Sequence, residues 1–200
     1  MSTNEPQHPN SVNRFLIMGP PGVGKGTQAE RLAKHFSIPT ISTGSLFREH
    51  VRNGTPLGLE IRELLAMGRY VSDEITNTVV AERLTQPDAE QGFILDGYPR
   101  TLAQVDALDA ILAQRSAELD AVIVLEADHD QLIERILLRA VEQDRSDDTP
   151  EVVAHRLGVY SRETAQLISA YDARGLVVRV DGTGLPHVVA DRITEALRAL

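Results

Sequence analysis

The stretch Gly19-Pro20-Pro21-Gly22-Val23-Gly24-Lys25-Gly26-Thr27 constrains this chain more than any other. It follows a short apolar run, Phe15 to Met18, and precedes residues 25–36, where Ala29, Leu32, Ala33 and Phe36 share one helical face. A glycine-rich turn between a strand and a helix can aim its N–H groups inward at an anion, and the helix start adds its positive end. In the pattern G-x-x-x-x-G-K the lysine reaches the terminal phosphates of a nucleotide. Here Gly26 stands between Lys25 and the hydroxyl residue Thr27, a variant that narrows the class of phosphate loop. A strand-to-helix turn with spare glycines is the plainer alternative. It offers no packing reason for the lysine and the flanking pattern to coincide.

Around this loop, strand and helix patterns alternate. Short, nearly continuous apolar runs lie at Phe15–Met18, Phe93–Leu95, Ala121–Leu125 and Leu176–Val180, with a weaker one at Ile38–Ile41. Such runs fit strands buried on both faces. Amphipathic stretches cover 25–36, 73–85, 101–114, 128–140, 150–173 and 186–199. Together they predict an α/β fold: a five-stranded parallel sheet flanked by helices. Residues 42–72 interrupt the alternation. Ser42 or Thr43 caps a helix carrying Leu46, Phe47, His50 and Val51, and Asn53-Gly54 ends it. A second helix follows Pro56 and stops at Gly68. This is either an ordinary crossover with an extra helix or a flap over a second ligand.

The 200 residues fit one domain, at 14–200, behind a polar tail, 1–13, expected to be disordered. The tail lacks the apolar segment of a secretory signal and the arginines of a transit peptide, and no apolar stretch is long enough to span a membrane. A cytoplasmic protein is expected. A net charge of −9 argues against a general nucleic-acid or membrane-surface binder, though not against an anionic substrate held by a local field. The absence of cysteine excludes disulfides, thiolate zinc sites and cysteine nucleophiles. Lys25 and Lys34 are the only lysines, so arginine supplies nearly all the positive charge.

Further candidates follow the third strand pattern. Asp96 ends it, where a carboxylate either caps a helix or holds Mg²⁺ through water. Gly97 permits close approach of a ligand, and Tyr98-Pro99 is a candidate cis peptide. Arg100 is read as opening a helix, an unfavourable place for a cation unless an anionic ligand faces it. Arg135 and Arg139 share a helix face, Arg145 lies in a polar stretch, and Arg156 sits on the helix after Pro150. Each alone is an ordinary surface arginine; pairs bracketing a loop can fold over a triphosphate.

These segments together resemble the adenylate kinases, within the nucleoside monophosphate kinases. The resemblance rests on Gly19 to Thr27, on Ile41-Ser42-Thr43-Gly44, and on Gly92 to Thr101. Asp147-Asp148-Thr149 and Val180-Asp181-Gly182-Thr183 add to it, so that it covers about 14–199. It implies the P-loop NTPase fold, with a helical AMP-binding insertion at about 42–71 and a short lid at about 140–147. It implies the reaction ATP + AMP ⇌ 2 ADP, with Mg²⁺ accompanying ATP and no zinc. By motif position, Lys25 and Gly22, Val23, Gly24, Gly26 and Thr27 hold the ATP phosphates, with Arg139 and Gly184 also on the ATP side. Thr43, Gly44, Arg48, Val71, Gly97, Arg100 and Gln104 hold AMP, and Arg145 and Arg156 reach it too. Lys25, Arg100, Arg135, Arg145 and Arg156 neutralise the transferring phosphoryl group, and Asp96 orders the Mg²⁺ shell through water. The Gln104 amide can donate to and accept from an adenine edge. Members that take UMP or CMP resemble an Arg-Asn-x-x-Asn pattern where this chain reads Arg100-Thr101-Leu102-Ala103-Gln104. Ser45 stands where many members carry an acid, and the lid carries Glu142 and Asp144. The expected partners are ATP, AMP and ADP, bound by a monomer, with no nucleic acid and no membrane. Three rivals remain at this point: another monophosphate kinase, a nucleotide-binding regulator without turnover, and a simple hydrolase.

Overall fold

In the computed structural model, residues 13–127, 132, 158, 160, 164 and 166–200 are described. Five strands, β1 (Asn13–Met18), β2 (Thr40–Ser42), β3 (Gly92–Asp96), β4 (Ala121–Glu126) and β5 (Val177–Asp181), form one sheet in the order β2-β3-β1-β4-β5. Every pairing is parallel. The described helices with full bounds are α1 (Lys25–Phe36), α2 (Thr43–Arg52), α3 (Pro56–Ala66), α4 (Asp73–Leu84), α5 (Leu102–Ala113) and α6 (Pro186–Leu197).

The near-continuous apolar runs have a simple cause: alternate residues of each strand enter different cores. Phe15 and Ile17, Ile94, Ile123 and Leu125, and Val178 and Val180 pack with Ala29 and Leu32 of α1 and Val189 and Ile193 of α6. Leu16 and Met18, Phe93 and Leu95, and Val122 and Val124 pack on the other face with Val80 and Leu84 of α4 and Val105, Leu108 and Leu112 of α5. Leu16, Ile94 and Ile123 have no exposed surface, and burial of each such side chain stabilises the fold by roughly 1.5–3 kcal/mol. The insertion has a small core of its own, Phe47, Ile61, Val71 and Val79. Its helices start where expected: the Ser42 and Thr55 hydroxyls accept from the N–H groups of Ser45 and Gly58.

Some boundaries differ from the sequence reading. The weak strand at Ile38–Ile41 is Thr40–Ser42, because Pro39 supplies only its carbonyl, to Ile94 N, before pairing begins. Asn13 belongs to β1, in register with Gly92, and not to the tail. Arg100 precedes α5 and does not open it; Thr101 is the cap, and its hydroxyl accepts from Gln104 N. Arg100 therefore does not oppose a helix dipole from the first turn, contrary to the sequence expectation. The helix pattern at 128–140, most of 150–173 and the lid at about 140–147 lie outside the described residues.

The register sets the site. Ile17 pairs with Asp96, and Asp96 pairs with Ser42, so the ends of β1, β3 and β2 finish level. The chain leaves β1 in the phosphate loop, β3 at Asp96-Gly97 and β2 at Thr43. All three exits lie at the carboxyl edge of a parallel sheet, where ligands of such folds bind.

Candidate active site

The loop after β1 takes its shape from backbone geometry, with the Lys25 and Val23 side chains tying it down. Gly22 and Gly24 have φ of 84° and 100°, in the left-handed region. Gly24 is the N-cap of α1 and no side chain caps that helix, nor does its first turn hold an acid. Hydroxyls of Ser42, Thr55, Ser72 and Thr101 cap α2, α3, α4 and α5. The contrast leaves the start of α1 suited to an anion. Lys25 Nζ donates to the carbonyls of Gly19 and Pro20, at 2.7 and 3.0 Å. The ammonium is thus held over the loop. Val23 is buried against the core, so only its backbone can serve a phosphate.

Asp96 lies beside this loop. Its Oδ2 is 3.9 Å from where a Cβ on Gly26 would stand. A carboxylate at that distance from a phosphate nest can hold a Mg²⁺ ion's water shell but is badly placed to bind phosphate itself. Among the described residues no cluster of three or more His, Asp or Glu side chains forms a closed metal cage.

On the far side of Asp96, Gly97 joins two groups of the insertion side. Its carbonyl accepts from Thr43 Oγ1 at 3.0 Å and from Arg100 Nε at 2.8 Å. Its φ is +80°, and a Cβ there would come within 3.0 Å of both Arg100 Nη2 and Thr43 Oγ1. The Arg100 guanidinium also lies over the Tyr70 ring, 4.5 Å from its centroid. Two contacts thus fix a cation that faces the cleft. Arg48 Nη2 donates to the Ser45 hydroxyl at 3.3 Å. Tyr98-Pro99 is cis.

Gln104 is nearly buried, 3% exposed, and both ends of its amide are engaged. Oε1 accepts from Arg100 N at 2.7 Å, and Nε2 donates to Asp73 Oδ1 at 2.6 Å. The Tyr98 hydroxyl lies 2.7 Å from Asn77 Oδ1. Burial first, and the charge on Asp73 second, push this phenol well above its ordinary range, so it stays a neutral donor.

One cleft of about 910 Å³ takes in both sides, within the size range of small-molecule sites. Gly22, Gly24, Lys25, Gly26, Thr27 and Asp96 line it together with Thr43, Gly44, Arg48, Val71, Gly97, Arg100 and Gln104. Gly184 is not among the lining residues; it sits in the turn before α6 with open space around it. Its neighbour Gly182 makes the close approach instead: a Cβ there would meet Val23 Cγ2 at 2.8 Å. Arg135, Arg139, Arg145 and Arg156 lie outside the described residues. Sequence reasoning missed Tyr70, Asp73 and Asn77. An acid opening α4 looks like ordinary dipole compensation, and nothing local indicates that its partners stand 28 and 31 residues away.

Comparison with known proteins agrees with this geometry. The adenylate kinase family model matches residues 17–176. An adenylate kinase of Micrococcus luteus is 52% identical over 186 residues, 93% of this chain and 91% of that protein. One of Bifidobacterium longum is 53% identical over 184 residues, 92% of this chain and 99% of that protein. One of Clavibacter michiganensis subsp. michiganensis is 51% identical over 186 residues, 93% of each. With a loop, a strand-end carboxylate and a Gly97-centred cluster meeting in one cleft, and half of all positions shared along nearly the whole length, the chain belongs to the adenylate kinase family.

Proposed function

We propose that this chain catalyses reversible transfer of the terminal phosphoryl group of MgATP to AMP, giving two molecules of ADP. The main support is the level ending of β1, β3 and β2. It gives one cleft a phosphate loop on one side of Asp96 and the Thr43-Gly97-Arg100 cluster on the other.

ATP lays its phosphates in the loop, where backbone N–H groups of residues 22–27 and Lys25 hold them. Lys25 exchanges its two carbonyl acceptors for phosphate oxygens. ATP is taken as its Mg²⁺ complex; Asp96 would hold that ion through water, and the ion would offset charge on the phosphates. AMP sets its phosphate against Arg100 and Arg48, with Thr43 and Gly44 at its side. A phosphate oxygen of AMP attacks the γ-phosphorus in line; that P–O bond forms as the bond to the β-phosphate oxygen breaks. No covalent enzyme intermediate and no strong base are needed. Catalysis is positioning plus neutralisation of charge on the moving group. Arg135, Arg145 and Arg156, with Arg139 on ATP, are assigned to that neutralisation by motif position alone. We place the reaction in the cytoplasm and the working unit as a monomer.

The Gln104 segment supports AMP over pyrimidine monophosphates. Coupled assay of ADP formation from ATP with AMP, UMP or CMP tests this. Turnover is expected with AMP and at least about 100-fold lower kcat/KM with the pyrimidines. Equal or preferred use of UMP or CMP overturns the substrate assignment. ATP loss without phosphorylated monophosphate makes the chain a hydrolase.

A further inference from the structure

We infer that Asp73 is a positioning residue that locks the Gln104 amide in one of its two orientations and so sets discrimination between 6-amino and 6-oxo purine monophosphates. The inference rests on the AMP reading above and adds a residue to it.

An amide side chain is nearly symmetric in shape, and turning it by half a turn exchanges donor and acceptor. A freely turning glutamine can meet adenine, which presents an amino donor at C6 beside the acceptor N1. It can equally meet hypoxanthine, which presents the acceptor O6 beside the donor N1–H. Gln104 is not free to turn. Its Oε1 receives the backbone N–H of Arg100, a group that only donates. Its Nε2 meets the carboxylate of Asp73, a group that only accepts when ionised. The reversed amide would set oxygen against carboxylate and N–H against N–H, losing two hydrogen bonds at a nearly buried side chain. The chemistry of the two partners therefore fixes the orientation.

Asp73 is itself held. Its second oxygen accepts from the Thr101 hydroxyl at 2.7 Å, and that hydroxyl oxygen accepts from Gln104 N at 3.2 Å. The carboxylate stands in the first turn of α4, where the helix dipole favours negative charge. Two helix starts, α4 and α5, are thus pinned to each other through the residue that faces the base. Each amide atom keeps one further hydrogen-bonding position, a hydrogen on nitrogen and a lone pair on oxygen. Gln104 lines the cleft, and a base reading these two positions meets them in a fixed order, which suits a 6-amino purine and opposes a 6-oxo one.

The test compares kcat/KM for AMP and IMP in the wild-type enzyme and in Asp73→Asn. The asparagine amide can both donate and accept, so it no longer opposes the reversed Gln104 amide, and only the Arg100 N–H still does. The AMP:IMP ratio is expected to fall at least about tenfold, with most of the change in KM. In Gln104→Ala the ratio should fall as well, and adding Asp73→Asn to it should change the ratio no further. Asp73→Glu, which keeps an acceptor-only group, should hold the ratio within about threefold. A thermal midpoint lowered in Asp73→Asn with an unchanged ratio would make the residue structural only and overturn the inference. So would an additional effect in the double variant. Should Asp73→Asn not fold, the side-chain amide hydrogens of Gln104 in the unaltered enzyme decide. Slow exchange with solvent is expected; exchange as fast as that of an exposed glutamine refutes the lock. Lack of AMP phosphorylation by the wild type is a different failure, that of the proposed reaction.

Discussion

The loop after β1 and the Gly97 wall opposite share one cleft but are built by different means. The loop is local. Its shape comes from glycines with positive φ, its suitability for an anion from backbone N–H groups at an uncapped helix start, and its cation from Lys25 held on carbonyls five and six residues back. The Gly97 wall is non-local. Thr43, brought level by the register of β2 against β3, reaches it across 54 residues of sequence, and Asp73 at the start of α4 reaches Gln104 across 31. A phosphate is common to many ligands and can be held by backbone. A particular monophosphate needs side chains of particular chemistry, and these must be gathered from several elements. Changes in the loop should therefore affect turnover with any acceptor, and changes in the wall should affect AMP first.

Lys25→Met should give the largest effect. Turnover is expected to fall roughly 10³-fold or more with every acceptor, since a cation lost from a dry phosphate site removes several kcal/mol of charge stabilisation. The thermal midpoint should change little; near-normal turnover in the folded variant would break the assignment. Arg100→Ala should raise the KM for AMP roughly 100-fold, as expected for a charge-assisted contact of about 3 kcal/mol, and move the KM for ATP less than about threefold. Parallel rises in both constants would erase the distinction between the two sides. Thr43→Val removes the hydroxyl bound to Gly97 O. It should cost about 1 kcal/mol, seen as a roughly fivefold loss in kcat/KM for AMP.

The smallest effect serves as a control, at Asp88, which does not line the cleft although its partner Arg83 does. Arg83 and Asp88 make a two-pronged pair at 2.7 and 2.8 Å, with Asp88 half-exposed. Hydrogen bonding to Arg83 holds the Asp88 carboxyl below its usual range. A depressed carboxylate contributes stability above its unfolded value, and the contribution is lost as pH falls through the folded one. Asp88→Asn should lower stability at neutral pH by no more than about 0.5 kcal/mol, and this difference should vanish in acid. Kinetic constants should not change. A difference that persists below the depressed value would remove the pair as its cause.

Much of the sheet was legible because burial on both faces writes itself as continuous apolar runs, as in Phe15 to Met18 and Ala121 to Leu125. The loop was legible for a related reason: glycine and lysine at fixed spacing have a local physical purpose. Ser42 as the cap of α2 could be read from its neighbours. The sequence reading places Arg100 too far in, although Thr101-Leu102-Ala103-Gln104 carries a local capping pattern; what the sequence does not carry is the bond of Thr101 to Asp73. The sequence reads Gln104 as an amide facing a base, and gives no sign that both of its ends are already held, by Arg100 N and Asp73. Gly182 was visible as part of a motif, yet its approach to Val23 requires β4 and β5 to be side by side. Long-range side-chain partnerships leave no periodicity in a single sequence.

The proposed reaction requires two chemically separate half-sites in one cleft, a backbone-built one for triphosphate and a side-chain-built one for AMP. Backbone amide NMR during titration with AMP alone tests it most directly. The amides of Thr43, Gly97, Arg100 and Gln104 should shift and saturate with AMP, while those of Gly22, Gly24 and Thr27 should move only when a nucleoside triphosphate is then added. If AMP alone shifts the loop amides as strongly as the Gly97 wall, and with the same affinity, the two half-sites are not separate and the account is wrong.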